Sequence, residues 1–203
     1  MDTKHKKIQF YKHSKKGFLL RLLTADDVSF WGANSLISVI FALFVVANIE
    51  QATAVDVGIA LTIREITLAV LSIPIGRIFD KHKGLLDEVY FLSISGLLVG
   101  FSYILLSFST QTWHLFCIMI IIGISHAINL NAWRTLFYGS IKQSERGETV
   151  GVYQTIFSIS GALFLSIGGF IGDYYGFDVV LIAGGIISII GGILPLYLKK
   201  IIK

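Results

Sequence analysis

Four side chains that can ionise or form strong hydrogen bonds lie within long apolar stretches of this sequence. Arg64 and Glu65 are adjacent, and His126 is followed by Asn129 on the same side of a helix. Charged groups in apolar surroundings are costly, so they are candidates for function. A buried Glu65 would carry a proton, and Arg64 would bind an anionic group or a carboxylate of another helix. His126, which titrates near neutral pH, would relay protons or bind a ligand.

These residues also have structural explanations that the sequence leaves open. An ion pair between helices would account for Arg64 and Glu65, and hydrogen bonds within the fold would account for His126. Adjacent residues on a helix do not face each other, so we expect the side chains of Arg64 and Glu65 to point in different directions and to contact different partners. Asn34 and Gln154 are further candidates for lining a cavity.

The composition places these candidates in membrane helices. Of the 203 residues, 54% are hydrophobic and 15% are charged, whereas soluble domains average about 25% charged residues. Six segments reach the length of about 20 mostly apolar residues that a transmembrane helix needs. They lie near residues 28–48, 56–78, 89–108, 113–138, 149–171 and 177–198. The predicted fold class is an all-α integral membrane protein with six transmembrane helices.

The basic residues predict the orientation of these helices. The chain has 17 Lys and Arg residues, and all except Arg64 fall in the N-terminal segment, at the second and fourth connectors, or at the C-terminus. The positive-inside rule then places both termini in the cytoplasm of a multi-pass protein of the cell (inner) membrane. We expect a basic cytoplasmic segment over 1–25, a six-helix bundle over 26–200, and a cytoplasmic tail over 201–203. The basic N-terminus is expected to contact membrane lipid and no nucleic acid.

Small residues indicate how the helices would pack. Lipid tails are as apolar as leucine, so membrane helices associate through close contact of small side chains. Glycine pairs recur seven residues apart in the sixth span, and the third span carries Gly96 and Gly100. The fifth span carries a stripe of small residues: Gly151, Ser158, Gly161, Gly168 and Gly172. We expect a tightly packed bundle.

Three stretches resemble the major facilitator superfamily of membrane transporters. The stretch from Gly76 to Gly84 resembles the family's signature loop, with Gly76, Asp80 and Lys81 matching and Arg77 adding a basic residue. Leu85 and Leu86 replace the basic pair that ends this loop in the family. The other two stretches resemble the family's entry to the fifth helix and its end: 145–153 and 168–177.

This resemblance implies a secondary active transporter of small molecules, of which the chain would form one six-helix half with a 3+3 inverted repeat. The two halves of such transporters are parallel repeats. A half with both ends in the cytoplasm can pair with a second copy, and cyclic dimers are the commonest oligomers. The resemblance therefore implies a homodimer, or a pairing with a separate half, that works by alternating access. Asp80 would bridge to the start of the fifth helix of the opposite half, and Arg77 and Lys81 would anchor to lipid phosphates or neighbouring carboxylates. The alternative is that this stretch is only a solvated stop signal between two helices.

Substrate class and alternatives stay open at this stage. Few charged groups are available for a polar solute, which favours proton-coupled efflux of amphipathic compounds over uptake of a polar metabolite. A non-transporting scaffold or regulatory half-transporter, or one half of a split transporter, is the alternative. We expect no enzyme, metal or cofactor, because the chain has no Gly-x-Ser-x-Gly, no pair of aspartates at membrane depth, and scattered histidines.

Overall fold

The computed structural model of the protein describes residues 13–81 and 85–199, and all of the regular structure in these ranges is helical. Three parts of the predictions lie outside the described residues: His82, Lys83 and Gly84 of the signature loop, residues 1–12 and 201–203 of the predicted cytoplasmic segments, and Lys200 at the end of the predicted bundle. Seven α-helices follow one another: α1 His13–Ser38, α2 Phe41–Asn48, α3 Ala54–Lys81, α4 Leu85–Ser107, α5 Thr112–Ser140, α6 Arg146–Tyr175 and α7 Phe177–Ile193. Short 3-10 helices cover Gln143–Glu145 and Leu194–Leu198.

The first predicted span differs most from the structure. Helix α1 begins well before residue 28 and ends at Ser38, and α2 then continues at an angle of 51°. The Ser38 hydroxyl donates to the carbonyl of Ser35 at 2.8 Å, and the N–H of Ile40 bonds the carbonyl of Ile37. A serine that competes for backbone carbonyls bends helices, so the break follows from this local pattern.

Within the described residues, four helical stretches are long and apolar enough to cross a membrane, and the bent α1–α2 pair makes five if it counts as one span. The four stretches are Leu86–Ser107, Thr112–Ser140, Gln143–Tyr175 and Phe177–Leu198. Their positions agree with the last four predicted spans, with ends that differ by up to six residues. Helix α3, which carries Arg64 and Glu65, is not among these stretches, so a sixth span stays a prediction.

The helices pack in a definite order around two apolar clusters. Helix α4 packs against α5 and α7, α3 packs against α5, and α1 packs against α6 and α7. One cluster surrounds the α1–α2 break. The other contains Leu23, Phe79 and Trp133 and lies at the end of the bundle that carries Arg77, Lys81, Lys142, Arg146 and Lys199, which we call the basic end.

Glycine contacts bring α4 and α7 together backbone to backbone. A Cβ atom added to Gly96 would lie 2.5 Å from the Cα of Gly192, and one added to Gly100 would lie 2.6 Å from the carbonyl oxygen of Gly185. No side chain larger than hydrogen fits at these positions, which confirms the tight packing predicted from the glycines. Gly176, with a φ of 97°, forms the one-residue turn between α6 and α7.

The small-residue stripe of α6 packs over only part of its length. Gly168 lies against the backbone of Leu36, and a Cβ on Gly172 would lie 2.7 Å from Ile40. Gly151, near the start of the helix, has no atom within 4 Å of an added Cβ. The stripe therefore docks α6 on α1 at its C-terminal end and leaves its N-terminal end uncovered within the described chain.

Candidate functional site

Two of the predicted candidates, Asn34 and Arg64, line one cavity of about 250 Å³ beside the α1–α2 break. Tyr103 of α4 lines the same cavity, and its hydroxyl donates to Asn34 Oδ1 at 3.2 Å. The sequence analysis missed Tyr103, although its hydroxyl within an apolar run was the available signal. The site offers hydrogen-bonding groups and one guanidinium to a small solute.

The expectation that the side chains of Arg64 and Glu65 point in different directions and contact different partners is wrong. Arg64 Nη2 lies 2.7 Å from Glu65 Oε1, and Arg64 Nε donates to the same oxygen at 3.1 Å. Both side chains are long enough to reach around the helix, and neither has a partner of opposite charge on another described helix. The side chain of Glu65 is 58% exposed and that of Arg64 is 22% exposed. In this chain Glu65 is therefore a partly exposed member of an ion pair, and its role in proton transfer stays a prediction.

His126 and Asn129 are buried between helices, and neither lines the 250 Å³ cavity. The His126 ring packs on Trp31 and Phe30, with centroid distances of 4.8 and 5.5 Å, and its Nε2 has no hydrogen-bond partner among the described residues. Asn129 Nδ2 donates to the hydroxyl of Ser95 at 3.4 Å. These two candidates occupy the packed interior in this conformation.

Gln154 is separated from the other candidates. It lies on the exposed face of α6, where its Nε2 donates to the hydroxyl of Ser158 at 3.1 Å.

The signature stretch is more helical than its description as a loop predicts. Asp80 and Lys81 form the last turn of α3, and with Arg77 they are exposed. Gly76 faces α5, where a Cβ would lie 3.5 Å from Asn131 Oδ1. The helix continues because residues 77–81 contain no glycine or proline that would end it.

The most unusual polar group, an adjacent pair of aspartates, was missed. Asp26 and Asp27 of α1 are 1% and 2% exposed, so both are buried within the fold. Asp27 Oδ2 accepts a hydrogen bond from Tyr153 of α6 at 2.6 Å, whereas Asp26 Oδ2 has no partner among the described residues. The sequence signal was a pair of acids directly before an apolar run, but the predicted span began at residue 28 and left them outside.

A second cavity, of about 490 Å³, opens beside this pair at the basic end. Its walls come from α1, α5 and α6 and are mostly apolar: Leu20, Ala25, Val28, Phe137, Val152 and Ile156. Arg21 and Glu148 contribute charges, and the ring of Tyr153 forms part of the wall. Tyr153 therefore contacts the cavity and the buried Asp27 at once.

Among the described residues, no group of three His, Cys, Asp or Glu side chains is placed to hold a metal ion.

Comparison with known proteins assigns the family. No curated protein and no solved structure gave a significant match. The family model of the Major Facilitator Superfamily matches residues 28–201. Because this match covers most of the chain, the protein belongs to the Major Facilitator Superfamily, whose members are membrane transporters.

Proposed function

We propose that the protein is a secondary active transporter of small molecules in which this chain forms one six-helix half. Two copies would pair in parallel around a central pathway and work by alternating access. Both termini would lie in the cytoplasm, so the basic end would face the cytoplasm, as the positive-inside rule predicts.

The order of helix packing supports a 3+3 inverted repeat within this half. We count α1 and α2 as the first pass, α3 as the second, and so on to α7 as the sixth. An inverted repeat would relate passes one, two and three to passes four, five and six, in that order. Under this exchange, the contact between α3 and α5 corresponds to the contact between α6 and α1. The exchange likewise converts α4–α5 into α7–α1 and leaves α4–α7 unchanged, and all of these pairs are observed.

The observation that carries the pairing proposal is the exposure of α3 and α6, which this exchange relates. In an apolar 18-residue segment of the stretch that contains α6, only 11% of the residues are buried, compared with 56% in the corresponding segment of α5. In α3 only Val57, Ala60 and Phe79 are buried. Both helices expose polar groups, including Glu65 and Gln154, which lipid would not solvate. A partner half and a water-filled pathway would cover these faces and satisfy these groups.

Asp80 supports the same pairing. An acidic group in the last turn of a helix lies at the negative end of the helix dipole, which costs about 0.3–1 kcal/mol. Asp80 is exposed there, and the start of α6 is open, with nothing within 4 Å of a Cβ on Gly147 or Gly151. The positive N-terminus of α6 in a second copy would offer Asp80 a favourable partner.

The mass of the nanodisc-embedded particle tests this pairing. We expect two chains per particle for the wild type and a larger share of one-chain particles for Asp80→Asn, because Asn removes the charge and keeps the shape. Asp178→Asn, in the first turn of α7, is the matched control and should leave the dimer intact. A wild-type monomer in a lipid nanodisc would contradict self-pairing.

We propose amphipathic organic compounds as the substrate class and efflux as the direction. The support is the 490 Å³ cavity, whose walls are mostly apolar with a few polar groups. Proteoliposome uptake of a panel of fluorescent amphipathic dyes checks this proposal, and transport of none of them under an imposed proton gradient would contradict it.

A further inference from the structure

We propose that the 250 Å³ cavity beside the α1–α2 break binds a small carboxylic acid anion with an apolar tail, and that its carboxylate competes with Glu65 for the guanidinium of Arg64. This site is separate from the 490 Å³ cavity, because the two cavities share no lining residue. Binding here requires neither transport nor the pairing of two chains, so it can be measured on the protein alone.

The charge of the cavity favours an anion. Arg64 is the one charged residue among the described residues that line it, and Glu65 does not contribute to its walls. The guanidinium lies towards the interior of the bundle, where its charge acts on Tyr103 of α4 and His126 of α5. A cation in apolar surroundings needs a compensating anion. A carboxylate suits this cation, because the planar fork of arginine matches its two oxygen atoms.

The two polar side chains of the cavity keep hydrogen-bond donors for such a ligand. Arg64 Nε and Nη2 both bond Glu65 Oε1, at 3.1 and 2.7 Å, whereas Nη1 has no acceptor among the described residues. The Tyr103 hydroxyl donates to Asn34 Oδ1 at 3.2 Å. This bond orients the Asn34 amide and leaves its Nδ2 donor without an acceptor in the part of the chain that the structure describes. A carboxylate accepts such hydrogen bonds, and an ammonium group cannot.

The rest of the cavity defines the size and polarity of the ligand. Its volume of about 250 Å³ is below the range of about 300–1,000 Å³ that is typical of pockets for drug-sized molecules. Five helices contribute to its walls, and most of the side chains are apolar: Ile37, Phe41, Leu61, Leu106, Met119 and Ile122. An inorganic anion would leave these walls without contacts. We therefore expect a tail about the size of one aromatic ring.

Close backbone packing fixes the position of Arg64. A Cβ atom added to Gly123 of α5 would lie 2.7 Å from the carbonyl oxygen of Arg64 and 2.7 Å from the Cβ of Thr67. Helices α3 and α5 are therefore in close contact where Arg64 leaves the backbone. This contact holds the base of the side chain while its guanidinium exchanges one carboxylate for another.

The cavity is accessible at the break between α1 and α2. Two of its lining residues, Ser38 and Ala42, flank the break and are exposed. The side chain of Glu65 is 58% exposed, so its carboxylate can turn to water when a ligand takes its place. The exchange replaces one ion pair with another and leaves no charge buried without a partner.

Fluorine NMR of para-fluorobenzoate mixed with the protein in phosphatidylcholine nanodiscs tests the site. We expect the protein to broaden the fluorine line, and an excess of benzoate to reverse the broadening. Empty nanodiscs correct for partition into lipid. Para-fluorobenzylamine has the same ring with the opposite charge, and fluoroacetate has the carboxylate without the ring, so both should bind more weakly. The absence of saturable broadening in the wild type, or equal binding of either comparison probe, would overturn the proposal.

Variants of the ion pair should change the affinity in opposite directions. Arg64→Gln removes the guanidinium and should weaken binding about tenfold or more, as expected for a hydrogen bond to a charged group. Glu65→Gln removes the competing carboxylate and should strengthen binding. Lys142→Gln, which removes an exposed cation at the basic end, is the matched control and should leave the affinity unchanged. Weaker binding in Glu65→Gln would show that the ligand does not compete with Glu65.

A change of charge inside the cavity locates the ligand. Asn34→Asp adds a negative charge at nearly constant shape and should abolish binding, whereas Gln143→Glu adds the same charge at an exposed position and should not. Tyr103→Phe releases the Asn34 amide and should weaken binding less than Arg64→Gln does, which keeps the test decisive if Asn34→Asp does not fold. Unchanged binding in both cavity variants would reject this site.

These outcomes are distinct from those of the pairing experiment. A monomeric protein that binds para-fluorobenzoate through Arg64 would retain the site and reject the proposed dimeric transporter. A dimer without this binding would do the reverse.

Discussion

Two of the pairs of adjacent charged residues within the helices differ both in sign and in surroundings. Arg64 and Glu65 have opposite charges, bond each other at 2.7 Å and are partly exposed. Asp26 and Asp27 have the same charge and are 1% and 2% exposed. Neighbours of opposite charge can neutralise each other without help, whereas neighbours of like charge need a proton or a cation from elsewhere. The like-charged pair is therefore the one that depends on its environment.

Replacement of one carboxylate at each pair should give the largest difference between them. Asp27→Leu leaves the Tyr153 hydroxyl without its acceptor inside the protein, and we expect it to lower the free energy of unfolding by about 3 kcal/mol. Glu65→Leu removes a partly exposed partner and should cost less than about 1 kcal/mol. Thermal unfolding in detergent measures both, and equal losses would contradict the contrast.

Removal of one phenol hydroxyl near each pair sharpens the comparison. Tyr153→Phe removes a hydrogen bond to a charged acceptor, worth about 1.5–3 kcal/mol. Tyr103→Phe removes a bond to the neutral Asn34 side chain, worth about 0.5–1.5 kcal/mol. The same unfolding assay compares them, and a larger loss for Tyr103→Phe would show that Asp27 is not an anion.

Replacement of Asp26, whose Oδ2 atom has no hydrogen-bond partner among the described residues, should instead raise the free energy of unfolding. Asp26→Leu replaces a buried, unsatisfied carboxyl group with an apolar side chain of similar size, and we expect a gain of about 1 kcal/mol. The gain would be visible as a higher unfolding temperature. A loss of stability would instead indicate that Asp26 has a stabilising partner in the folded protein.

Removal of the cation from the opposite-charge pair should have the smallest effect. Arg64→Gln leaves Glu65 able to reach water, because that side chain is 58% exposed. We expect a change of about 0.2–1 kcal/mol. The matched Glu65→Gln variant should behave alike, and a loss several times larger in either one would mean that the pair is covered in the assembled protein.

The helical segments and the use of glycines for tight packing could be predicted because they depend on patterns within one helix, whereas the sequence did not indicate that α4 and α7 are the helices that meet. The four strongest apolar runs coincide with helices, and Gly96 and Gly192 meet because both sides of the contact lack side chains. The burial of Asp26 and Asp27 could not be predicted, since it depends on α6 and α5 closing over α1. The pairing of Arg64 with Glu65 was missed because helical spacing describes where side chains start and not how far they reach.

The contact between Gly96 and Gly192 has a mechanical consequence. Where two helices meet backbone to backbone, no side-chain torsions are available to absorb sliding or tilting between them. We therefore expect helices α4 and α7 to move together as one body. In the proposed 3+3 repeat, the exchange of passes leaves this pair of helices unchanged, so the pair would lie on the local symmetry axis of the half. Any tilt between the two ends of the bundle must then be taken up by bending at softer joints, such as the 51° break between α1 and α2.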